Sequence, residues 1–245
     1  MQQRLPSLID PPITFAHRGA RAHAPENTIE AFTLALKLGA SGLESDVWVT
    51  ADDAVVLDHD GEIRTGLLRK TPIGELRRDE LPDHIPTLQE LFEACGTDYH
   101  LSLDLKGPGT GEAVIDVVRS AAPELLPKLW LCHHELDALV ALRPVDDTVK
   151  LVDSTRLHRI DEGPERRAAR LAELGIDGIN MRKADWNGGL VALFHRFERT
   201  AFSWDLQFEH LLRPALRMGI DAVYSDHVDR MVSAFTEEIG SSGAS

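Results

Sequence analysis

The sequence predicts an α/β fold: a TIM (β/α)8 barrel of parallel strands with a small insertion after the second strand. Three observations predict it. Strand-like and helix-like patterns alternate from one end of the 245 residues to the other. The strand-like segments, beginning near positions 13, 42, 100, 129, 148, 178, 200 and 222, number about eight, the count that closes a barrel. Two of them alternate aliphatic and polar side chains, as strands do when one face meets helices and the other a barrel interior. A doubly wound open sheet is the competing architecture.

The first unit is strand "ITFAH" followed by helix "ENTIEAFTLALKLG", in which Ile29, Phe32, Leu36 and Leu38 form an apolar stripe. Pro25 and Asn27 stand near its start, Asn27 as a candidate helix cap, and Gly39 ends it. Strand "GLESDVWVT", a turn at "ADD" and a second short strand in "AVVLDHD" come next. Residues 61–86 are polar and punctuated by Gly and Pro, and read as a compact insertion. Its Leu67, Leu68 and Ile73 are candidates to cover a site or to form the contact of a homo-oligomer. The alternation then resumes with "TLQELFEAC", "HLSLDLK", "GEAVIDVVRSA" and "LWLCH" and continues to "AVYSD" and "VDRMVSAFTEEI". No internal repeat or linker divides the chain, so residues 1–240 read as one domain and 241–245 as a flexible tail.

Parity assigns faces. In "GLESDVWVT" the outward set is Leu43, Ser45, Val47 and Val49, and the inward set holds Glu44, Asp46 and Trp48. In "HLSLDLK" Leu101, Leu103 and Leu105 face the helices, and Ser102, Asp104 and Lys106 the interior. Two strands thus aim acids inward near their C-terminal ends, where barrel sites lie.

Two carboxylates about 4.5 Å apart repel by roughly 4 kcal/mol at an effective dielectric near 20, so the cluster needs a proton or a cation. Glu44, Asp46 and Asp104 form an oxygen-only donor set suited to one divalent cation, Mg²⁺ or Ca²⁺, rather than zinc. Pairing with Arg or Lys in a polar interior is the structural alternative. His17 ends the first strand and His59 follows "VVL", so both can reach the same mouth and supply a general acid and a general base. Arg18 and Lys106 add positive charge that would hold a phosphate oxyanion. The combination reads as metal-assisted phosphoester cleavage.

Composition bounds the partners. With 40 acids against 26 bases the formal charge is -14, which argues against nucleic acid and against anionic membrane surfaces. Any phosphate must be captured locally. Two cysteines, Cys95 and Cys132, are too few for a disulfide framework and point to a reducing compartment and buried packing. "MQQRLPSLIDPP" lacks the apolar core of a secretory signal and no run approaches a membrane span, so a cytoplasmic location without membrane insertion is expected.

The segments "AHRGARAHAPENTIEAF", "LESDVWVTADDAVVLDHD", "LSLDLK", "FSWDLQ" and "MGIDAVYSDHVDR" resemble, in order and across nearly the whole chain, the successive motifs of the glycerophosphodiester phosphodiesterase family. The resemblance implies a TIM barrel with an insertion after the second strand. It also implies cation-dependent hydrolysis of glycerophosphodiesters to glycerol 3-phosphate and an alcohol. Carried over by motif, His17 and His59 are the acid/base pair, Glu44, Asp46 and Asp104 the metal ligands, Arg18 and Lys106 the phosphate contacts, and Trp204 a wall for the glycerol moiety. The implied chemistry has one histidine deprotonating a glycerol hydroxyl, the other protonating the leaving alcohol, and water opening a cyclic phosphate. Two departures stand out: Asp104 where the family usually has Glu, and Asp53 where a turn glycine is usual. Asp tolerates such a turn.

The rivals are a related barrel lyase that stops at a cyclic phosphate or cleaves lysophospholipids, a metal-dependent aldolase or enolising barrel enzyme, and a catalytically silent binding protein. Weaker signals have plainer readings. "CHHE" at 132–135 places adjacent residues that cannot converge on one ion. "GPGTGE" lacks the Lys-Ser/Thr of a P-loop and reads as a strand-to-helix connection. Asn180 and Asp226, near the ends of later strands, are candidates to touch substrate or simply polar loop residues.

Overall fold

The structure, a computed structural model, describes residues 4–65 and 69–240. Strand β1 (Ile13–His17) leads into helix α1 (Ile29–Lys37), and β2 (Gly42–Val49) pairs antiparallel with the short β3 (Val55–Leu57). Strands β4 (Glu62–Arg64) and β5 (Lys70–Pro72) pair in the insertion. The rest alternates: α2 (Leu88–Cys95), β6 (His100–Leu105), α3 (Thr110–Ala121), β7 (Leu129–His133), α4 (Leu136–Leu142) and β8 (Lys150–Ser154). There follow α5 (Pro164–Glu173), β9 (Gly178–Arg182), α6 (Gly188–Arg196), β10 (Thr200–Trp204), α7 (Glu209–Arg217), β11 (Ala222–Ser225) and α8 (Val228–Ile239).

Strands β1, β2, β6, β7, β8, β9, β10 and β11 form a closed parallel barrel, β1 pairing with both β2 and β11. The TIM-barrel expectation therefore holds. Register places Glu44 beside His17 and Asp46 beside Asp104.

The outward parity set is the core beneath the helices: Leu43, Val47, Leu101, Leu103 and Leu105 are buried there. Inside the barrel a separate apolar layer contains Phe15, Trp130, Phe202 and Tyr224. Phe15 stacks on Tyr224 at 4.8 Å between ring centroids, and Trp130 meets Phe202 edge-on at 4.9 Å. Gly42 makes room for this layer, since a Cβ there would lie 2.5 Å from the Phe15 ring. At the opposite end from the acids, the buried Asp221 accepts from the Leu8 and Ile9 amides and contacts His195 Nε2 at 2.7 Å, tying the N-terminal segment across the barrel base.

Three local expectations need correction. Helix α1 is capped by Thr28, whose hydroxyl accepts from the Ala31 amide at 3.2 Å, and not by Asn27. Asn27 is buried at φ 55° and accepts from Ser45 Oγ at 2.8 Å, so it pins the loop to β2. Trp48 keeps its parity but leaves the barrel interior, because β2 runs on to pair with β3. It covers a cluster of Val56, Ile73, Leu76, Leu81 and Ile85, and its indole donates to Asp58 O at 2.8 Å. Gly61, at φ 69°, permits this, as a Cβ would meet the Trp48 ring at 2.2 Å. Ile73 is fully buried in that cluster and so is no subunit contact, while Leu67 and Leu68 lie outside the described residues, as does 241–245. Asp53 takes φ 65° at its turn, as expected. Among the described residues, no helix is long and apolar enough to cross a membrane.

Candidate active site

The C-terminal end of the barrel opens into a cavity of about 460 Å³, a volume suited to a small ligand. His17, His59, Arg18, Lys106, Glu44, Asp46, Asp104 and Trp204 all line it, so the folding of β1, β2, β6 and β10 and of the segment after β3 brings every sequence-predicted site residue to one place.

Their mutual contacts are ionic. Glu44 and Asp46 are only 8% and 4% exposed. The Glu44 carboxylate accepts from the Arg18 amide at 3.0 Å and lies 3.9 Å from His17 Nε2. Asp46 faces Lys106 Nζ at 3.1 Å and Arg18 Nε at 3.5 Å, and Lys106 also donates to Asp104. The three acids are therefore tied by basic partners as well as aimed at one mouth. Arg18 adopts φ 53°, a left-handed conformation uncommon for a side chain of its size, and donates to Glu26 at 3.1 Å.

Burial pushes Glu44 up to about 7 against the pull of His17, with Asp46 adding to the rise. Burial likewise raises Asp46, although Lys106 opposes it. For His17, burial works against the charged ring, but Glu44 and the hydrogen bond to Asp226 outweigh it and raise its pKa. Lys106 is also raised, Asp104 and Asp46 prevailing over burial. A buried carboxyl raised to about 7 beside a histidine is the kind of group that can exchange protons with a substrate.

Asp226 was legible only as a polar residue near a strand end. It accepts from His17 Nδ1 at 2.6 Å, and burial, which would raise it, is overcome by that bond, so its pKa is lowered. Gln207 in turn accepts from the Asp226 amide at 2.9 Å. His59 is exposed and pairs with Asp60 at 2.9 Å. Trp204 carries the Arg156 guanidinium at 4.4 Å from its ring centroid. Asn180 also lines the cavity, whereas "CHHE" splits as expected: Cys132 is buried in the interior and His133, His134 and Glu135 lie beyond it.

A hard divalent cation fits the donor set. All candidate ligands are carboxylate oxygens, and Asp46 Oδ2 is buried with no hydrogen-bond partner. Lys106 already puts one positive charge between Asp46 and Asp104. Among the described residues, the group of three potential metal donors whose atoms all lie within 4.8 Å of one another is a different, surface one, His23, His227 and Asp229, with His23 Nε2 3.0 Å from Asp229; Glu44, Asp46 and Asp104 do not converge that closely.

A barrel with these features has relatives. The model of the glycerophosphoryl diester phosphodiesterase family matches residues 17–230. A glycerophosphodiester phosphodiesterase of Bacillus altitudinis is 26% identical over 239 residues, 89% of this chain and 96% of its own length. Two solved structures share the fold at 24% identity. An Oleispira antarctica phosphodiesterase, in complex with the product sn-glycerol-3-phosphate, superposes with a TM-score of 0.79 over 91% of this chain and 96% of its own. The glycerophosphodiester phosphodiesterase of Thermotoga maritima does so with 0.76 over 90% and 97%. With a match that starts at His17 and runs through Arg230, the chain belongs to the glycerophosphoryl diester phosphodiesterase family.

Proposed function

We propose that the protein hydrolyses glycerophosphodiesters to glycerol 3-phosphate and an alcohol, with His17 and His59 as the acid/base pair. The observation that carries this is the meeting, in one cavity, of two histidines from separate segments with the buried acids Glu44 and Asp46. A Mg²⁺ or Ca²⁺ ion held by Glu44, Asp46 and Asp104 would neutralise the acids and polarise the ester. Asp104, one methylene shorter than Glu, reaches less far from β6.

The chain's own groups do the rest. Asp226 accepts a hydrogen bond from Nδ1–H of His17, holding that proton on Nδ1 and leaving Nε2 toward Glu44 and the cavity, the position from which a ring nitrogen can accept or return a substrate proton. His59, exposed and hinged on Asp60, supplies the partner proton transfer. Arg18 and Lys106, which line the cavity beside the carboxylates, would contact the phosphate, and Trp204 would form a wall for the glycerol carbons. The described residues act as one catalytic domain.

The test is release of glycerol 3-phosphate from glycerophosphocholine and related diesters, with and without chelator, for wild type and His17→Ala. Loss of at least ~100-fold in kcat for His17→Ala is expected, the scale of an acid/base group. Chelator-resistant turnover would contradict the cation. A product that stops at the cyclic phosphate would favour the lyase reading.

A further inference from the structure

The positive charges lining the cavity fall into two groups. Arg18, Arg21 and Lys106 each have a carboxylate partner: Glu26 at 3.1 Å for Arg18, Glu26 at 2.9 Å for Arg21, and Asp46 at 3.1 Å for Lys106. Arg156 and Arg159, which follow β8 on the far wall, have no carboxylate within 4.0 Å among the described residues. That is unexpected in a chain with 40 acids to 26 bases, where a guanidinium readily finds a counter-ion. Arg156 is half-buried and stacked on Trp204, which fixes its plane and leaves its donor fork unspent. Beside it Asn180, 8% exposed, has its Oδ1 buried with no hydrogen-bond partner. A buried acceptor without a donor, on the wall of a cavity, points to a hydroxyl supplied from outside the protein.

We infer that the substrate carries a second anionic group, on the alcohol that leaves the phosphate, and that Arg156 and Arg159 bind it while Asn180 takes a neighbouring hydroxyl. This rests on the phosphodiesterase reading above. With the glycerol end held between the carboxylates of β2 and β6 and the Trp204 ring, the alcohol beyond the scissile phosphate is left the β8–β9 side of the mouth, where Arg156, lying over Trp204, and Arg159 stand. A planar fork without a counter-ion suits a phosphate monoester or a carboxylate. The same wall repels a quaternary ammonium, so a choline diester is a poor substrate.

The experiment compares kcat/KM for three glycerophosphodiesters differing in the charge of the leaving alcohol: glycerophosphocholine, glycerophosphoglycerol, and glycerophosphoglycerol bearing a terminal phosphate. Wild type, Arg156→Gln, Arg159→Gln and the double variant are assayed at constant ionic strength with saturating Mg²⁺. The wild type is expected to prefer the anionic diester over the neutral one by at least ~10-fold, with the preference shrinking as salt rises. In the double variant the ratio falls to about one. Because each ratio is taken within a single variant, it is independent of how much of that variant folds. Equal losses on all three diesters would overturn the inference, since the arginines would then act on the scissile phosphate. A wild-type ratio near one, or a preference for choline, would overturn it too while leaving the phosphodiesterase reading intact. No turnover of any diester would overturn that reading and the subsite with it.

Discussion

Asp226 and His17 stand 209 positions apart in sequence and 2.6 Å apart in space, joined across the seam where the last barrel strand pairs with the first. The carboxylate can only accept, so the imidazole proton is fixed on Nδ1 and Nε2 is left for the cavity. Under the proposed assignment of His17, Asp226 is a positioning residue that sets the tautomer of its ring.

Asp226→Asn is therefore expected to lower kcat by at least ~100-fold, because an amide can donate to Nδ1 and favour the wrong tautomer. The hydrogen bond that raises His17 is also lost, so the pH limb assigned to His17 should move to lower pH. Rate profiles from pH 5 to 9 check both. A variant within about threefold of wild type would show that the pairing has no part in catalysis.

Cation binding should be proton-linked. Burial first, then Asp46, push Glu44 up to about 7, so below that pH a dication must displace a proton, and affinity should climb as pH rises toward 7. The sign for stability follows: a raised folded pKa contributes stability below the ordinary glutamate range and loses it as pH rises through about 7. The cation-free protein should thus weaken over that window and added Mg²⁺ should restore it. Calorimetry in buffers of different ionisation enthalpy measures the released proton. His23→Ala serves as the control, since the surface His23, His227 and Asp229 group should not affect this linkage.

Asp146 offers a stability test remote from the cavity. It accepts from the Thr148 hydroxyl and amide, the latter at 2.9 Å, and pairs with Arg119 at 3.0 Å. Burial alone would raise its pKa, but these bonds bring it down to about 2 from the ordinary 3.8. A depressed carboxyl stabilises the fold above its unfolded pKa and ceases to do so as pH falls through its folded one. Asp146→Asn should cost on the order of 1–2 kcal/mol at pH 7, solvent screening included, and markedly less near pH 2, where the carboxyl is half protonated. Urea titrations at the two pH values should show the difference shrink.

Gly42→Ala probes the interior. The new methyl would come within 2.5 Å of Phe15, whose ring is held by Tyr224 on one side and lies 6.1 Å from Phe202. Overpacking there is expected to destabilise by about 1–3 kcal/mol in urea unfolding. An unchanged midpoint would mean that the aromatic layer yields more easily than its packing implies.

Much of this was legible in the chain. Period-2 alternation at 43–49 and 100–106 is a local pattern, and it correctly assigned Glu44, Asp46 and Asp104 to the cavity and the leucines to the helix side. Local patterns cannot report pairings set by barrel closure, and for that reason the role of Asp226 was missed. The cap went to Thr28 rather than Asn27 because Ser45, eighteen residues away, claims the Asn27 side chain. Trp48 followed its parity but not its expected surroundings, since nothing local shows where a strand outgrows its barrel. Lys106 was read as a phosphate contact, whereas in the fold its ammonium also bridges two acids, a contact fixed by the β2–β6 register.

The aromatic layer of Phe15, Trp130, Phe202 and Tyr224, with Ile9 packed against it from the N-terminal segment, gives the cavity a floor, so that substrate and products would share the mouth at the C-terminal end of the barrel. The fragment lodged deepest, against the acids, departs second, so that fragment should compete with incoming diester while the first to leave should not. Product inhibition patterns thus become a readout of which end of the molecule goes in first.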